Sequence, residues 1–548
     1  MTRVFELVLD IPATAAHDWA ASRVHRRRDD PTAQPDASIV AALAALPAIK
    51  RRRRSEARLA VHGFDSKGTL GAAGWRLAIE ALEASDAARR VIAVHGKPHV
   101  PGITIRHAAF QVPLDRNVGD AANALPATVF DSAPLEFASI LGEAGTLERA
   151  VSFACTRTRW SLPTQYGVPI DVVFERIDAL DQDDLTPIRE IHLTTPVRAD
   201  TQDMQGAQDV HNVHAQQALF AAARDIAAAL PAFAVLDGAV ERVSRGEPAR
   251  EREPVHASPV DLDGDATQRD ALLAIGWNLA QHWLGNEAGV REAASVEFVH
   301  QMRVAQRRLK TAMRLFRHWQ DDTWTTQIAP GLKWLGDLLG DARDWDVFAD
   351  STLPALAAAD TYADAARWAA TREAADAHRL TLRARVQQAL VSPRYALLVL
   401  AWLEWQRALA DETRALPEVD GHTLRKHAKK RVLKAYEKLA AAPKLTMLDD
   451  ASRHRERIRA KRLRYTLEFL APLATKKTRV DVVKTLSRMQ SVLGDGNDAA
   501  VALGFLEQLD VDSYQLGFAR GWCEAAKRYT AREGERLLRQ LGKPKLDG

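Results

Sequence analysis

Residues 299–319 read VHQMRVAQRRLKTAMRLFRHW, with Arg303, Arg307, Arg308, Lys310, Arg314 and Arg317 and no Asp or Glu. His300, Arg303, Arg307, Lys310 and Arg314 step by three and four, which lines them up on one side of an α-helix. Met302, Ala305, Leu309, Ala312, Met313 and Phe316 supply the apolar face that packs. His454, Arg457, Lys461 and Arg464 repeat the stripe, with Arg462 matching Arg308, and residues 453–464 hold seven Lys and Arg side chains against the single acid Glu456. A third basic segment, HTLRKHAKKRVLKAYEK (422–438), carries Arg425, His427, Lys430, Arg431 and Lys434 with Glu437 opposing. Like charges at helical spacing repel, so a polyanionic ligand would offset the cost of keeping them. The competing reading is a solvated face whose long side-chain stems cover apolar surface. A duplex-DNA reader would place Asn or Gln among these bases, and a single-strand binder would interleave aromatics. The stripes show neither, Tyr436 and Tyr465 being the nearest aromatics. A charge-dense chain without bases needs only Arg, Lys and protonated His to grip its phosphates, and inorganic polyphosphate fits that description best.

The elements that hold these residues are helices, and they are duplicated. At a constant offset of 154 residues His300 falls on His454, Arg303 on Arg457, Arg307 on Lys461 and Lys310 on Arg464. In the same register LKWLGDLLGDARD (332–344) meets LSRMQSVLGDGND (486–498), and Trp368 meets Trp522. Two copies of a multi-helix unit about a pseudo-two-fold axis follow, which would bring the first two stripes toward that axis. Helical runs are expected at 267–285, 299–318, 361–390, 394–414, 422–440, 454–473 and 514–540. Upstream, VFELVLDI, GWRLAIEAL, RRVIAVHG, ITIRHAAFQV, SFACTRTRW and VPIDVVFERI have strand length and β character, with helices at 37–47 and 211–230. The fold class is therefore multidomain: an α+β antiparallel barrel-like domain over 1–247, a Pro- and charge-rich linker over 248–265, and an all-α domain of two pseudo-symmetric bundles over 266–548.

Bulk properties narrow the function. The net charge of +4 divides into −3 before residue 251 and +7 after it, so the signal is local segregation of sign. No run of apolar residues is long enough to span a membrane, the N-terminus has no secretory pattern, and Cys155 and Cys523 do not form a disulfide framework. A cytoplasmic protein is expected.

VHQMRVAQRRLKTAMRLF, LLGDARDWDVF and LRKHAKKRVLKAY resemble the signature of the CHAD domain, the conserved-histidine α-helical domain, and the resemblance covers roughly 266–540. It implies two helical bundles whose basic residues line a groove or pore that binds inorganic polyphosphate. Association with polyphosphate granules and their proteins would follow. Carried over, the ligand-binding residues are His300, Arg303, Arg307, Arg308, Lys310, His427, Lys430, Arg431, His454, Arg457, Lys461, Arg462 and Arg464. Arg314, Arg425 and Lys434 extend their stripes. The histidines suit either phosphate contact or helix packing. Asp337, Asp341, Asp344 and Asp346 surround Gly340, where a helix break is expected; they would cap a following helix or hold Arg side chains rather than a metal.

FELVLDI, VHGFDSKGTLGAAGWRLAIE, RTRW…VPIDVVFERID, PIREIHL and RVSRG are similar to the CYTH family of triphosphate tunnel enzymes. That resemblance implies a closed antiparallel barrel with bases for phosphates and acids for Mg²⁺ or Mn²⁺. The acidic motifs have decayed: Glu6, Val8 and Asp10 stand for the opening ExExK, and Glu190, His192 and Thr194 for the second acidic run. Arg76, Arg157, Arg159 and Arg245 remain as tunnel-type bases, with Glu6 and Glu190 isolated. No catalytic residue, metal ligand or cofactor is assigned, and Mg²⁺ or Mn²⁺ would be required only by an active barrel. The rival functions are a metal-dependent triphosphatase or polyphosphatase in that barrel, and nucleic-acid binding.

Overall fold

The computed structural model describes residues 3–24, 35–50, 52–83, 89–114, 125, 130–163, 168–179, 187–198, 205–238, 253–263, 265–362, 365–411 and 423–546. The basic run 25–28 and Arg245 lie outside them. The chain forms two compact units, one from 1–253 with 391–411 and the other from 254–390 with 412–548.

In the first unit, eight antiparallel strands close a barrel. They are β1 (Arg3–Asp10), β2 (Arg54–Asp65), β3 (Trp75–Leu82), β4 (Arg89–Val100), β5 (Ile103–Pro113), β6 (Glu148–Pro163), β7 (Pro169–Ala179) and β8 (Ile188–Pro196). Their order is β5-β4-β3-β2-β6-β7-β8-β1, and β1 returns to β5 through Arg3–Glu6 against Thr104–His107. The short β9 (Phe233–Val235) takes the rest of the same β1 edge, Val8–Asp10. Closure leaves no long edge to aggregate. The two-residue pleat then sorts the side chains. Trp75, Leu77 and Ile79 pack outside with Phe110 and Phe137 of α4 (Leu135–Ala144), whereas Arg76, Ala78 and Glu80 face inward. One part of the interior is apolar, built from Leu59, Val61, Phe153, Cys155 and Ile177, and another carries charged side chains, Glu6, Glu80 and Glu190 among them. Helices α1 (Ala13–Val24), α2 (Pro35–Ala45), the short α3 (Thr69–Ala72) and α5 (Gln205–Ala229) complete the outside.

The second unit is helical, with α6 (Gln268–Leu284), α7 (Glu287–Arg291), α8 (Val296–Leu315), α9 (Ala329–Val347), α10 (Leu353–Ala359) and α11 (Ala365–Leu390) preceding the excursion of α12 (Pro393–Ala410) into the first unit. It resumes with α13 (Leu424–Ala440), α14 (Asp450–Phe469), α15 (Val483–Gln508) and α16 (Ser513–Gln540). The 154-residue offset holds element by element. α8 maps onto α14 at both ends, the 3₁₀ turn Arg317–Trp319 onto Ala471–Leu473, the π-turn Trp324–Ile328 onto Thr478–Val482, and the start of α9 onto the start of α15. Even the N-caps match: Ser295 and Asp449 each accept from a first-turn amide. Trp368 and Trp522 meet in one apolar core with Trp345, Phe348 and Phe505.

Three expectations need correction. No break occurs at Gly340, because α9 runs through it, so Asp341, Asp344 and Asp346 do not cap a following helix. The linker reading fails for Pro254–Asp263. Asn286 exchanges two hydrogen bonds with the Val255 backbone, Asn278 donates to the Ser258 carbonyl, and Val260 and Leu262 are buried, so the segment is strapped to α6 and its C-terminal end. α12 sits with the barrel unit, where it packs on α5 and β9, pairs Glu404 with Arg224 and sets Tyr395 by Phe233. Its apolar sequence YALLVLAWLEW supplies the reason, since such a helix needs extensive cover.

Candidate anion-binding cluster

α8 and α14 pack against each other, and on α9 and α15 the matched residues Asp344, Val347, Asp498 and Val501, two pairs 154 apart, line one small cavity. Arg303 and Arg307 of the first copy thereby enter the field of Arg457 and Lys461 of the second. The two stripes converge, as the repeat implied. Arg303 is tethered, donating to the Gly340 carbonyl at 2.9 Å and to Asp344 at 2.7 Å. Arg307, Arg457 and Lys461 have no carboxylate partner among the described residues, and the buried Nε atoms of Arg307 and Arg457 have no hydrogen-bond acceptor. Burial, with Arg307, Arg457 and Arg303 around it, pushes the Lys461 ammonium down to about 6. An unpaired, partly desolvated set of cations is costly unless an anion completes it.

Lys310 and Arg464 extend the stripes in matched ways. Gly336 makes room for the first, since a Cβ there would lie 2.9 Å from Lys310 Nζ; its counterpart Gln490 accepts from Arg464 Nε at 3.0 Å. Arg464 also pairs with Glu468. Further along, the exposed Arg314 and Arg462 approach each other and Arg459.

The histidines are held by neighbours the stripe did not reveal. Arg343 Nε donates to His300 Nδ1 at 3.0 Å, and burial with that guanidinium lowers the ring to about 4, so His300 is neutral and keeps Nε2–H as a donor. At the matched positions His454 Nδ1 bonds to Asn497. Residues 343 and 497 carry the same 154-residue register, the one signal that pointed to them.

Two assigned residues are not available to a ligand. Arg308 is 1% exposed; it donates to His282 Nδ1 and Asn278 Oδ1 and lies over the Phe469 ring. One step round the helix from Arg307 carries it into the bundle. His427 is 7% exposed, donates from Nε2 to the Leu315 carbonyl at the end of α8 and stacks on Phe316. The rest of the third segment does not enter the central cluster. α13 packs Leu424, Ala428 and Val432 inward, turns Lys430 and Lys434 to solvent, half-buries Arg425 and sets Arg431 beside Arg317 and His318.

Three of the four aspartates hold basic side chains of the helices. Asp344 holds Arg303, Asp346 takes two bonds from Arg383, and Asp337 pairs with Lys333.

The barrel interior is a closed ion network. Strand register places Glu6, Val8 and Asp10 opposite Thr194, His192 and Glu190, and Glu190 opposite Glu175, which itself faces Arg157. Glu6 Oε1 lies 3.0 Å from His192 Nδ1 and its Oε2 2.7 Å from Arg106 Nε. His192 Nε2 is 3.4 Å from Glu190 and 3.7 Å from Glu175; Arg157 Nε donates to Glu175 at 2.6 Å while its Nη2 lies 3.7 Å from Glu80. Arg159 pairs at the surface with Asp171. A Mg²⁺ or Mn²⁺ ion needs several carboxylate oxygens turned on one point. Here they are turned on protein cations, and no group of three or more His, Cys, Asp or Glu able to hold a metal occurs among the described residues. These side chains do not fit a resident divalent ion.

The model of the CHAD domain family matches residues 274–507. The CHAD domain of the plant Ricinus communis is 32% identical over 54% of this chain and 100% of its own, with a TM-score of 0.46. PptA from Streptomyces chartreusis is 21% identical over 52% of this chain and 99% of its own, at TM-score 0.36. A Hippeastrum putative adenylyl cyclase, described as having a dominant triphosphatase activity, is 11% identical over 45% and 98%, at 0.26. No curated protein matches. Among the described residues no helix is long and apolar enough to cross a membrane.

Proposed function

The chain belongs to the CHAD domain family, and on that premise we propose that its helical repeat binds inorganic polyphosphate between α8 and α14. The observation that carries the reading is the meeting of Arg303, Arg307, Arg457 and Lys461 between the two copies, three of them without an ion-pair partner among the described residues. Phosphates along a chain would supply the missing acceptors, with Lys310, Arg464 and Arg314 prolonging the track and the neutral His300 donating from Nε2. Nothing in the cluster reads bases or offers a stacking platform, which favours polyphosphate over nucleic acid. Retention at polyphosphate granules in the cytoplasm, in company with granule proteins, follows from the same affinity.

The test is calorimetric titration of the full chain with long-chain polyphosphate, with RNA and tripolyphosphate as competitors. Tight binding that neither competitor displaces, and that falls at least tenfold in Arg307→Ala/Arg457→Ala, is expected. Equal affinity for RNA, or a double variant that binds as well as the parent, refutes the assignment.

A further inference from the structure

We propose that the imidazolium of His192 is the resident cation of the barrel, filling from within the protein the position a divalent ion would occupy and making this unit independent of metal. Three carboxylates from three strands converge on one ring: Glu6 of β1 on Nδ1, and Glu190 of β8 and Glu175 of β7 on Nε2. A carboxylate only accepts, so Nδ1 carries a proton toward Glu6. Nε2 lies 3.4 Å from Glu190 and 3.7 Å from Glu175, outside hydrogen-bond geometry but between two buried negative charges that favour a proton there, and a ring protonated on both nitrogens is a cation. A neutral tautomer would aim a lone pair at a buried carboxylate. On Glu6 and Glu175 the oxygens the ring does not engage are taken by arginines, Arg106 and Arg157 respectively, while Arg90 secures Glu80. Glu6, Glu80, Glu175 and Glu190 are thus answered by Arg90, Arg106, Arg157 and His192, with Arg76 also acting on Glu6 and Glu175.

The consequence is an interior whose charges are already spent on one another. Such a barrel has little field left to draw in either a divalent cation or a triphosphate. It also explains why His192 stands on β8 two residues from Glu190: the imidazolium does in place what a bound ion would do, holding like charges together in a buried site.

Removing the ring should open the site it fills. In the full chain, His192→Ala takes the shared cation away from three carboxylates while Glu6 and Glu175 keep one arginine each, and we expect it to take up one Mn²⁺ per chain beyond the parent's uptake, with a thermal midpoint that rises on adding Mn²⁺. His192→Lys, which keeps a cation, should gain no Mn²⁺ site. If His192→Ala folds only when Mn²⁺ is supplied, the proposal is supported equally. Equal Mn²⁺ stoichiometry in the parent and His192→Ala overturns it, as does a parent site lost in Glu6→Gln. An independent reading needs no variant: the ¹⁵N shifts of His192 at pH 7.5 should report both nitrogens protonated, and a neutral tautomer sinks the idea.

Discussion

Titrating the chain with long-chain polyphosphate at pH 7.5 should draw about one proton from the buffer for each cluster filled. Lys461 is the source of that uptake. Burial and the surrounding Arg307, Arg457 and Arg303 hold it near 6, against an ordinary 10.5, while Asp498 offsets them only in part. At pH 7.5 roughly 3% of the free protein carries this proton. A polyanion reverses the local field, and once the ammonium regains its ordinary range it is fully charged. The difference is about one proton, so affinity should fall about tenfold for each pH unit between 7 and 9. The sign is unambiguous: the free-state value is depressed and the bound-state value is not, so binding tightens as pH falls. Calorimetry in two buffers of different ionisation enthalpy reads the proton directly. Lys461→Arg should retain tight binding and lose the buffer dependence, because a guanidinium is charged throughout. Identical heats in the two buffers, together with an affinity flat from pH 7 to 9, would refute the reasoning.

Other outcomes follow from the same geometry. Binding driven by release of counterions should weaken steeply with salt; four central contacts give a log–log slope of about −3, and Arg307→Ala should reduce it by about 0.7. Arg307 and Arg308 should separate cleanly in paired melts and titrations. Arg308→Ala strips Asn278 and His282 of their buried partner and should cost about 2–3 kcal/mol in stability with the salt slope unchanged. Arg307→Ala relieves repulsion and should leave the fold at least as stable while weakening binding. In the barrel, burial lowers His192 but the carboxylates of Glu190, Glu6 and Glu175 around the ring outweigh it and raise it to about 10 from 6.5, and its contribution is complete below pH 6.5 and lost as pH rises through about 10. Glu6 is lowered to about 2 from 4.5, Arg106 and His192 outweighing its burial, so its contribution is present above pH 4.5 and lost toward about 2. Protection factors of the β1 and β8 amides, taken relative to the intrinsic exchange rate at each pH, should therefore fall on both sides of a plateau near neutrality, and protection constant to pH 10 would contradict it.

Local periodicity determined a great deal by itself. The apolar positions between the basic ones of α8 and α14, the Ser295 and Asp449 caps and the strand-length alternations upstream each depend on neighbours a few residues away, so helices and strands were legible. The repeat needed only self-comparison, and it carried its register down to the short 3₁₀ and π turns. Pro254–Asp263 and Gly340 misled for the opposite reason: composition says loop or break, whereas Asn278, Asn286 and the packing of α9 supply long-range bonds that local propensity cannot weigh. α12 likewise follows contacts with α5 and β9 rather than its place in the chain.

The site divides in the same way. A helical stripe gives the angle of a side chain about its own axis, and that much placed Arg303, Arg307, Arg457 and Lys461 together in type. It does not say what covers each angle. That Arg308 is spent on His282 and Asn278, that Arg343 holds His300 neutral, that His427 seals the end of α8 and that His192 gathers three carboxylates were all decided by tertiary packing. The physical reason is that the charge state and availability of a polar group depend on desolvation and on partners tens to hundreds of residues away, and only the folded chain brings them within reach.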